Sequence, residues 1–265
     1  MSRPTENWGA LRIMANSPAA SQTLGWRVQP TGLTSKPIRY HQTQGVETSP
    51  LFADIPPSDQ AKIVSAAISR KFVRRQTIFV AGDPVKEILL LTEGCVKITQ
   101  LGENGSEIIL RLHGPGELLG ASAVERTGGH GSTAEALLAC KALVWNASTF
   151  ETLSEKFPTL QRNTMRTLTR RLLELEGRLF EISTERVAPR LARELVRLLV
   201  HVGRRVDGVI EVHLSREELA QLTGTTLFTV SRVLSGWEQQ GIVSLRRQAV
   251  AVQSPFGLLG VCDLK

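Results

Sequence analysis

An arginine side chain can grip a guanine by two parallel hydrogen bonds, to O6 and N7, and such a pair discriminates between bases by roughly 1–3 kcal/mol. Arg232 stands where that contact would be made. It lies one turn into a helical text that opens at Thr226 and runs to about Gln240. Val230, Val233, Leu234 and Trp237 share the apolar side of that text, while Leu227, Phe228, Ser231, Arg232 and Ser235 share the other. Leu227, Phe228, Ser231 and Arg232 are thus the candidate base-contacting residues. Arg216, Thr225, Thr226, Arg246 and Arg247 flank them and suit phosphate contacts, which position a protein on DNA without reading sequence.

Such chemistry requires elements that hold one helix in a groove. Ser215-Arg216-Glu217-Glu218 is a capping box, in which the serine hydroxyl accepts from the Glu218 amide and the glutamate reaches back. The helix it opens runs to Leu222, and Thr223-Gly224-Thr225 makes a tight turn into the second helix. That is the layout of a helix-turn-helix, whose second helix enters the major groove by its N-terminus. Residues 241–247 and Ala249–Val252 read as a two-stranded wing with a basic tip. A short strand over Val209–Leu214 and a helix from Pro189 to about Gly203 precede the motif.

Upstream, Met165, Leu168, Leu172, Leu175, Leu179 and Ile182 recur at spacings of 3, 4, 3, 4 and 3. This narrow seam predicts a helix that pairs with a second copy of itself, a two-fold dimer being the simplest closure. The alternative is an ordinary helix packed on its own domain. From Phe72 to about Trp145 the text breaks into short β-like runs: Thr77–Val80, Ile88–Leu91, Val96–Leu101, Glu107–Leu112 and Leu143–Trp145. Glycines punctuate them, and so many short strands indicate an antiparallel barrel or jelly roll. A short helix is expected after Pro57. Residues 1–48, rich in Ser, Thr, Pro, Gly and Gln, read as a disordered tail.

The 265 residues carry a formal charge of +7, which favours an anionic partner. The signal is diffuse: the tail has five basic residues against two acidic, residues 184–265 eleven against eight. Cys95, Cys140 and Cys262 are odd in number and form no CxxC, which suits a reducing cytosol better than a disulfide framework. No apolar run reaches the length of a membrane-spanning helix, and the first residues lack the apolar core of a signal peptide. A cytoplasmic protein is expected.

The chain from about Leu51 to Val252 resembles the CRP/FNR family of bacterial transcription regulators. The matching text includes Leu51–Pro56, Ile88–Ile98, Gly114–Gly120 (Gly-Pro-Gly-Glu-Leu-Leu-Gly), Arg170-Arg171-Leu172 and Gly224–Arg232. The resemblance implies an α+β protein: a tail over 1–48, a cyclic-nucleotide-binding-like β-roll over 49–156, a dimerisation helix over 157–183 and a winged helix-turn-helix over 184–265. It also implies a double-stranded operator as partner, RNA polymerase as a second partner for an activator, and an effector that shifts the recognition helices. The effector pocket would fall at Gly116, Glu117, Ala121, Ser122, Ser132, Thr133, Leu175 and Glu176.

The sequence departs from that family where cyclic AMP would be held. The ribose-binding glutamate is matched by Ala121, the phosphate-binding Arg-Ser pair by Gly131-Ser132, and the adenine-binding Thr-Ser pair by Leu175-Glu176. An anion without its arginine is costly to bury, so cyclic AMP is not the expected effector. Residues 1–94 contain no cysteine, which excludes the iron–sulfur cluster of the FNR branch. Haem stays open, with His113, His130, Cys95 and Cys140 as candidate axial ligands. Phe228 stands where most members carry a glutamate, so the family's usual half-site is not assumed. A catalytic cupin would share the roll but needs a second His at i+2, which His113 lacks. A cyclic-nucleotide module acting on a protein partner would not need the helix-turn-helix. No nucleophile elbow, P-loop or zinc motif supports catalysis.

Overall fold

The computed structural model describes residue 46, residues 49–121 and residues 129–262. The expected tail over 1–48 therefore lies outside the described residues, except Val46, which is buried among core side chains. Ser122 of the expected effector pocket lies outside them too.

The N-terminal half is a roll of two antiparallel sheets. One orders β1 (Ile68–Phe72), β8 (Cys140–Asn146), β3 (Glu87–Glu93) and β6 (Leu118–Leu119); the other orders β2 (Thr77–Phe79), β7 (Thr133–Ala136), β4 (Val96–Leu101) and β5 (Glu107–His113). The run Ile88–Leu91 is apolar throughout because β3 is buried on both faces. Leu89 and Leu91 face the second sheet with Phe72, Val96, Ile98 and Val144. Ile88 and Leu90 face the other way, into a layer built by Leu51, Phe52, Ile63, Trp145, Phe150 and Leu160. That layer comes from a 3-10 turn (Pro50–Phe52), α1 (Pro57–Ser65), the outward face of β8, α2 (Ala147–Lys156) and the start of α3 (Pro158–Thr184). Trp145 is fully buried and donates its indole NH to the Ile63 carbonyl at 2.8 Å, tying α1 to β8. Gly94 turns β3 into β4 at φ 88°, and a Cβ there would stand 2.2 Å from the Ala139 carbonyl oxygen. Only glycine permits both the dihedral and the approach.

Helix α3 runs 27 residues, roughly 40 Å at 1.5 Å per residue. Its burial inverts the usual pattern. The side against its own roll carries Leu160, Asn163, Thr167 and Arg171, while Leu172, Leu175, Leu179 and Ile182 are exposed. The Asn163 side-chain amide donates to the carbonyls of Leu51 and Ala53, which explains how a polar residue sits there.

The C-terminal half consists of α4 (Val187–His201), β9 (Arg204–Val206), β10 (Val209–Val212), α5 (Arg216–Thr223), α6 (Leu227–Gln239), β11 (Val243–Arg246), β12 (Ala249–Val252) and α7 (Pro255–Cys262). The strands form one antiparallel sheet in the order β11-β12-β10-β9. Its core joins Leu191, Leu195, Leu198, Leu219, Val230, Leu234 and Trp237 to the sheet residues Val212, Val243 and Val250. The same cluster takes in Cys95, Ile109 and Leu137 of the roll.

Candidate nucleic-acid interface and sensor cleft

The two helices of the DNA-binding motif are fixed at their ends. The Ser215 hydroxyl accepts from the Glu218 amide at 3.1 Å, and the Glu218 carboxylate accepts from the Ser215 amide at 2.7 Å. Gly224 closes α5 in the left-handed conformation, φ 61°, which a β-bearing residue adopts only with strain. Thr226 caps α6 by accepting from the Thr229 amide at 3.2 Å. Val230, Leu234 and Trp237 anchor α6 in the core. Arg232, Leu227 and Phe228 are exposed on its outer side, Phe228 at 75%, with Ser231 half-buried. Arg232, Arg216 and Arg247 have no ion-pair partner among the described residues.

The wing differs from its reading as a free basic tip. Arg246 is paired with Glu211, a buried carboxylate of β10 that His213 also approaches at 3.4 Å. Glu238 on α6 accepts from the Leu245 amide at 2.7 Å, holding the wing to the outer helix. Thr226 spends its hydroxyl on the cap, and the Thr225 amide closes the turn onto the Ala220 carbonyl.

Several residues at the junction between roll and motif carry no signal in any short motif. Arg190, buried on α4, directs its Nε to the Thr223 carbonyl at 2.8 Å and its Nη1 to the Glu185 and Ile182 carbonyls at 3.2 and 3.4 Å. One guanidinium thereby links the end of α3 to the turn of the helix-turn-helix. Beside it, Glu194 accepts from Arg178 at 3.0 Å and from Arg197 at 3.1 Å, and Glu181 pairs with Arg193 and Arg197. Arg178 also donates to the Leu110 carbonyl of β5 at 2.7 Å. The available sequence signal was positional: Arg190 and Glu194 stand on the apolar stripe of α4 with Val187, Leu191, Leu195 and Leu198.

In the roll, a small cleft is lined by Phe79, Ile98, Arg111, His113, Leu119, Gly120, His130, Gly131, Ser132 and Arg171. Of the expected pocket residues only Ser132 lines it. Ala121 is buried in the helical layer, and the Thr133 hydroxyl accepts from the Ala81 amide. Gly116 donates its amide to the Leu91 carbonyl. Leu175 and Glu176 are exposed on α3 and do not line the cleft.

Glu117 acts from behind the lining. Its carboxylate lies 3.1 Å from His113 Nδ1 and accepts from the Gly114 amide at 2.8 Å. Arg111 Nε donates to His113 Nε2 at 3.1 Å, so the ring proton resides on Nδ1 and points to Glu117. Burial pushes His113 down to about 4, against the pull of the Glu117 hydrogen bond, and the imidazole is neutral near pH 7. Burial would raise Glu117, but the His113 hydrogen bond, the Gly114 amide and the Arg171 charge hold it at about 2. Both ring nitrogens of His113 are thus engaged. His130 stacks on Phe79 with centroids 3.8 Å apart. The Cys95 and Cys140 thiols are raised by burial, Cys140 to about 11, and Cys140 donates to the carbonyls of Leu138 and Cys95. These four are the candidate haem ligands; of them, His113 has both ring nitrogens and Cys140 its thiol already engaged in hydrogen bonds. Among the described residues no group of three or more His, Cys, Asp or Glu is arranged to hold a metal ion.

A pH dependence follows from His113. Its folded value lies below the ordinary 6.5, so between about 6.5 and 4 the unfolded chain binds the extra proton. Stability is therefore expected to fall as pH drops through that window, with a slope approaching ~1.4 kcal/mol per pH unit. Urea unfolding of the full chain against His113→Gln checks this. The substitution should flatten the profile there, and an unchanged slope would remove His113 as its source.

Comparison with known proteins is consistent with both halves. Residues 69–157 match the family described as a cyclic nucleotide-binding domain, and residues 189–260 match the Crp-like helix-turn-helix domain. The chain is 30% identical over 217 residues to the cyclic AMP receptor protein of Thermus thermophilus, covering 79% of this chain and 98% of that one. It is 26% identical over 204 residues to a CRP-like cAMP-activated global transcriptional regulator of Mycobacterium tuberculosis, covering 76% of this chain and 91% of the other. Among solved structures, a CRP-family transcriptional regulator of Thermus thermophilus matches with a TM-score of 0.66 at 24% identity, over 74% of this chain and 97% of that one. These relatives are regulators, not enzymes.

Proposed function

Since this chain belongs to the CRP/FNR family of DNA-binding transcription regulators, we propose that it works as a homodimer whose paired winged helices bind a two-fold operator under control of a signal received in the roll. The observation that carries the DNA reading is the outer face of α6, where an exposed, unpaired Arg232 stands beside Leu227 and Phe228. Arg232 reads a guanine, Phe228 and Leu227 make apolar contacts such as one with a thymine methyl, and Ser231 completes the base-reading set. Arg216, Thr225, Thr226 and Arg247 meet phosphates. Arg246 joins them by exchanging Glu211 for a phosphate.

The seam Met165, Leu168, Leu172, Leu175, Leu179 and Ile182 pairs with the partner's copy, which explains why α3 turns its apolar side outward. Two relatives are named for cyclic AMP, yet Ala121, Gly131, Leu175 and Glu176 stand where its anchors would be, so we read the signal as a different molecule. The working compartment is the cytoplasm, and RNA polymerase is the partner of an activating form. No described helix is long and apolar enough to cross a membrane.

The test is an operator selected in vitro from random duplexes, with binding followed by fluorescence anisotropy. Arg232→Ala should weaken specific binding by roughly 5- to 150-fold, the equivalent of a lost bidentate pair, with little change for random DNA. Undiminished specific binding would remove Arg232 as a base reader. Failure of the native chain to select any sequence would remove the DNA-binding reading.

A further inference from the structure

We propose that the cleft of the roll is a binding site for a small anion, a carboxylate or phosphate group held between Arg111 of β5 and Arg171 of α3. The inference rests on the roll being the signal-receiving half, and it names the chemical class of the signal.

At the junction, Arg178 is matched by Glu194, Arg193 by Glu181 and Glu185, and Arg197 by Glu181 and Glu194, while the buried Arg190 is met by backbone carbonyls. Arg111 and Arg171 have no carboxylate within ion-pair distance among the described residues. Arg171 is 6% exposed; one Nη donates to the Leu118 carbonyl, and its Nε, also buried, finds no acceptor. A guanidinium has five N–H donors, so most of the donors of Arg171 remain to be met. The hydrogen bond of Arg111 is to His113, which is neutral.

Glu117 is the nearby half-buried carboxylate, and His113 and the Gly114 amide already engage it. Glu174 contributes only from the solvent side of α3, where it lies near Arg170. Burial pulls both guanidinium groups below their ordinary value, reinforced at Arg111 by the Arg178 charge and at Arg171 by the Arg111 charge, which bring Arg171 to about 10. One buried and one half-buried cation facing one shared space, with one spoken-for carboxylate behind them, leave a net positive charge that an anion would satisfy. Carboxylate and phosphate oxygens suit the planar fork of guanidinium, and each can accept from both side chains.

The rest of the lining sets the size and character of the molecule. Ser132 offers a hydroxyl at the rim, and Ile98, Leu119 and the stacked Phe79–His130 pair give apolar walls. The cleft is small and open at its rim, which suits the inorganic ion or the charged end of a compact organic acid or short phosphate ester reaching in from solvent. The location also gives the anion leverage. Arg171 and Arg178 are seven residues apart on α3, and Arg178 holds both Leu110 next to Arg111 and Glu194 of the DNA-binding half. Drawing Arg111 and Arg171 onto one ligand therefore acts on the strand and helix that carry the motif.

The experiment is isothermal titration of the full-length dimer with inorganic phosphate, glycerol phosphate and succinate in turn, paired with operator anisotropy. Saturable binding of at least one probe is expected, weakened roughly ten- to hundredfold by Arg111→Gln and by Arg171→Gln. Binding of phosphate alone would identify the free ion; binding of an organic probe with weaker or absent phosphate binding would identify a metabolite. Arg111→Lys and Arg171→Lys keep the charge but not the fork, and intermediate weakening in these folded variants would separate ligand loss from misfolding. Absence of binding by all three probes, or binding indifferent to every substitution, would overturn the proposal. Native operator binding measured without probe decides the DNA reading separately, so the two can fail independently.

Discussion

A chain carrying both Leu172→Glu and Leu179→Glu is expected to sediment as a monomer and to lose specific operator binding, with its roll still folded. Leu172 is 57% and Leu179 67% exposed, so neither substitution opens a cavity in the subunit. In a paired helix each leucine would leave water, a contribution of about 1.5–3 kcal/mol per fully buried side chain. Two-fold symmetry doubles the loss and sets four carboxylates along one apolar seam. Operator half-sites are bound cooperatively only while the two recognition helices are held at fixed spacing, so the functional loss should exceed that of Arg232→Ala. Analytical ultracentrifugation, circular dichroism and anisotropy on one preparation check the three parts. A dimer that survives both glutamates would mean that α3 is not the interface and that its bare leucines face something else.

Arg190→Met is expected to lower stability by roughly 3 kcal/mol and to blur operator choice without dissolving the dimer. Methionine fills the space of the stem, so the loss is that of the charged hydrogen bonds to Thr223, Glu185 and Ile182. A charged hydrogen bond contributes about 1.5–3 kcal/mol, and each stranded buried carbonyl adds a further cost. The position is unusual because those carbonyls belong to the end of α3 and to the turn before α6. Without the link, the two recognition helices should tolerate operators whose half-sites are spaced a base pair wider or narrower. A competition series with altered spacing reads this directly. Uniform weakening at every spacing would mean that Arg190 only stabilises the fold.

Much of the scaffold is legible in the chain because its signals are local. The capping box at Ser215 is read from two residue types three apart, and both of its hydrogen bonds form. The long helix is legible in the 3-4 periodicity of Met165–Ile182, and the wing strands Val243–Arg246 and Ala249–Val252 in their place after the helix-turn-helix. The all-apolar run Ile88–Leu91 is legible as a strand, although its burial on both faces comes from the layers around it. Helix α7 and strand β9 were not foreseen; the apolar residues of Pro255–Cys262 lie all round the helix, with no contrast between faces to read.

The charged interior was harder. Arg171 sits beside Arg170 in one family-like string, but only Arg170 faces water, a choice made by the roll and not by either residue. Arg190, Glu194 and Glu211 find partners in separate elements, where composition and spacing say nothing, and the local cluster of Arg111, His113 and Glu117 matches no motif. The expected pocket followed the family's cyclic-nucleotide positions, whereas the cleft draws its cations from β5 and α3. That difference arises because Ala121 and Gly131 removed the charges around which the family's pocket is organised.

The cluster that joins Cys95, Ile109 and Leu137 to Leu219, Val230 and Trp237 has a thermal consequence. Two bodies that share one continuous interior cannot melt independently, because unfolding either exposes the apolar face of the other. Heating the chain should then give a single calorimetric peak, with van't Hoff and calorimetric enthalpies in agreement for each subunit. The DNA-reading end is in this sense not a detachable module: excised, it would carry an uncovered oily flank into solution. Lesions far out in the roll would be felt at the operator through a shared melting point, even where they touch no part of the ligand cleft.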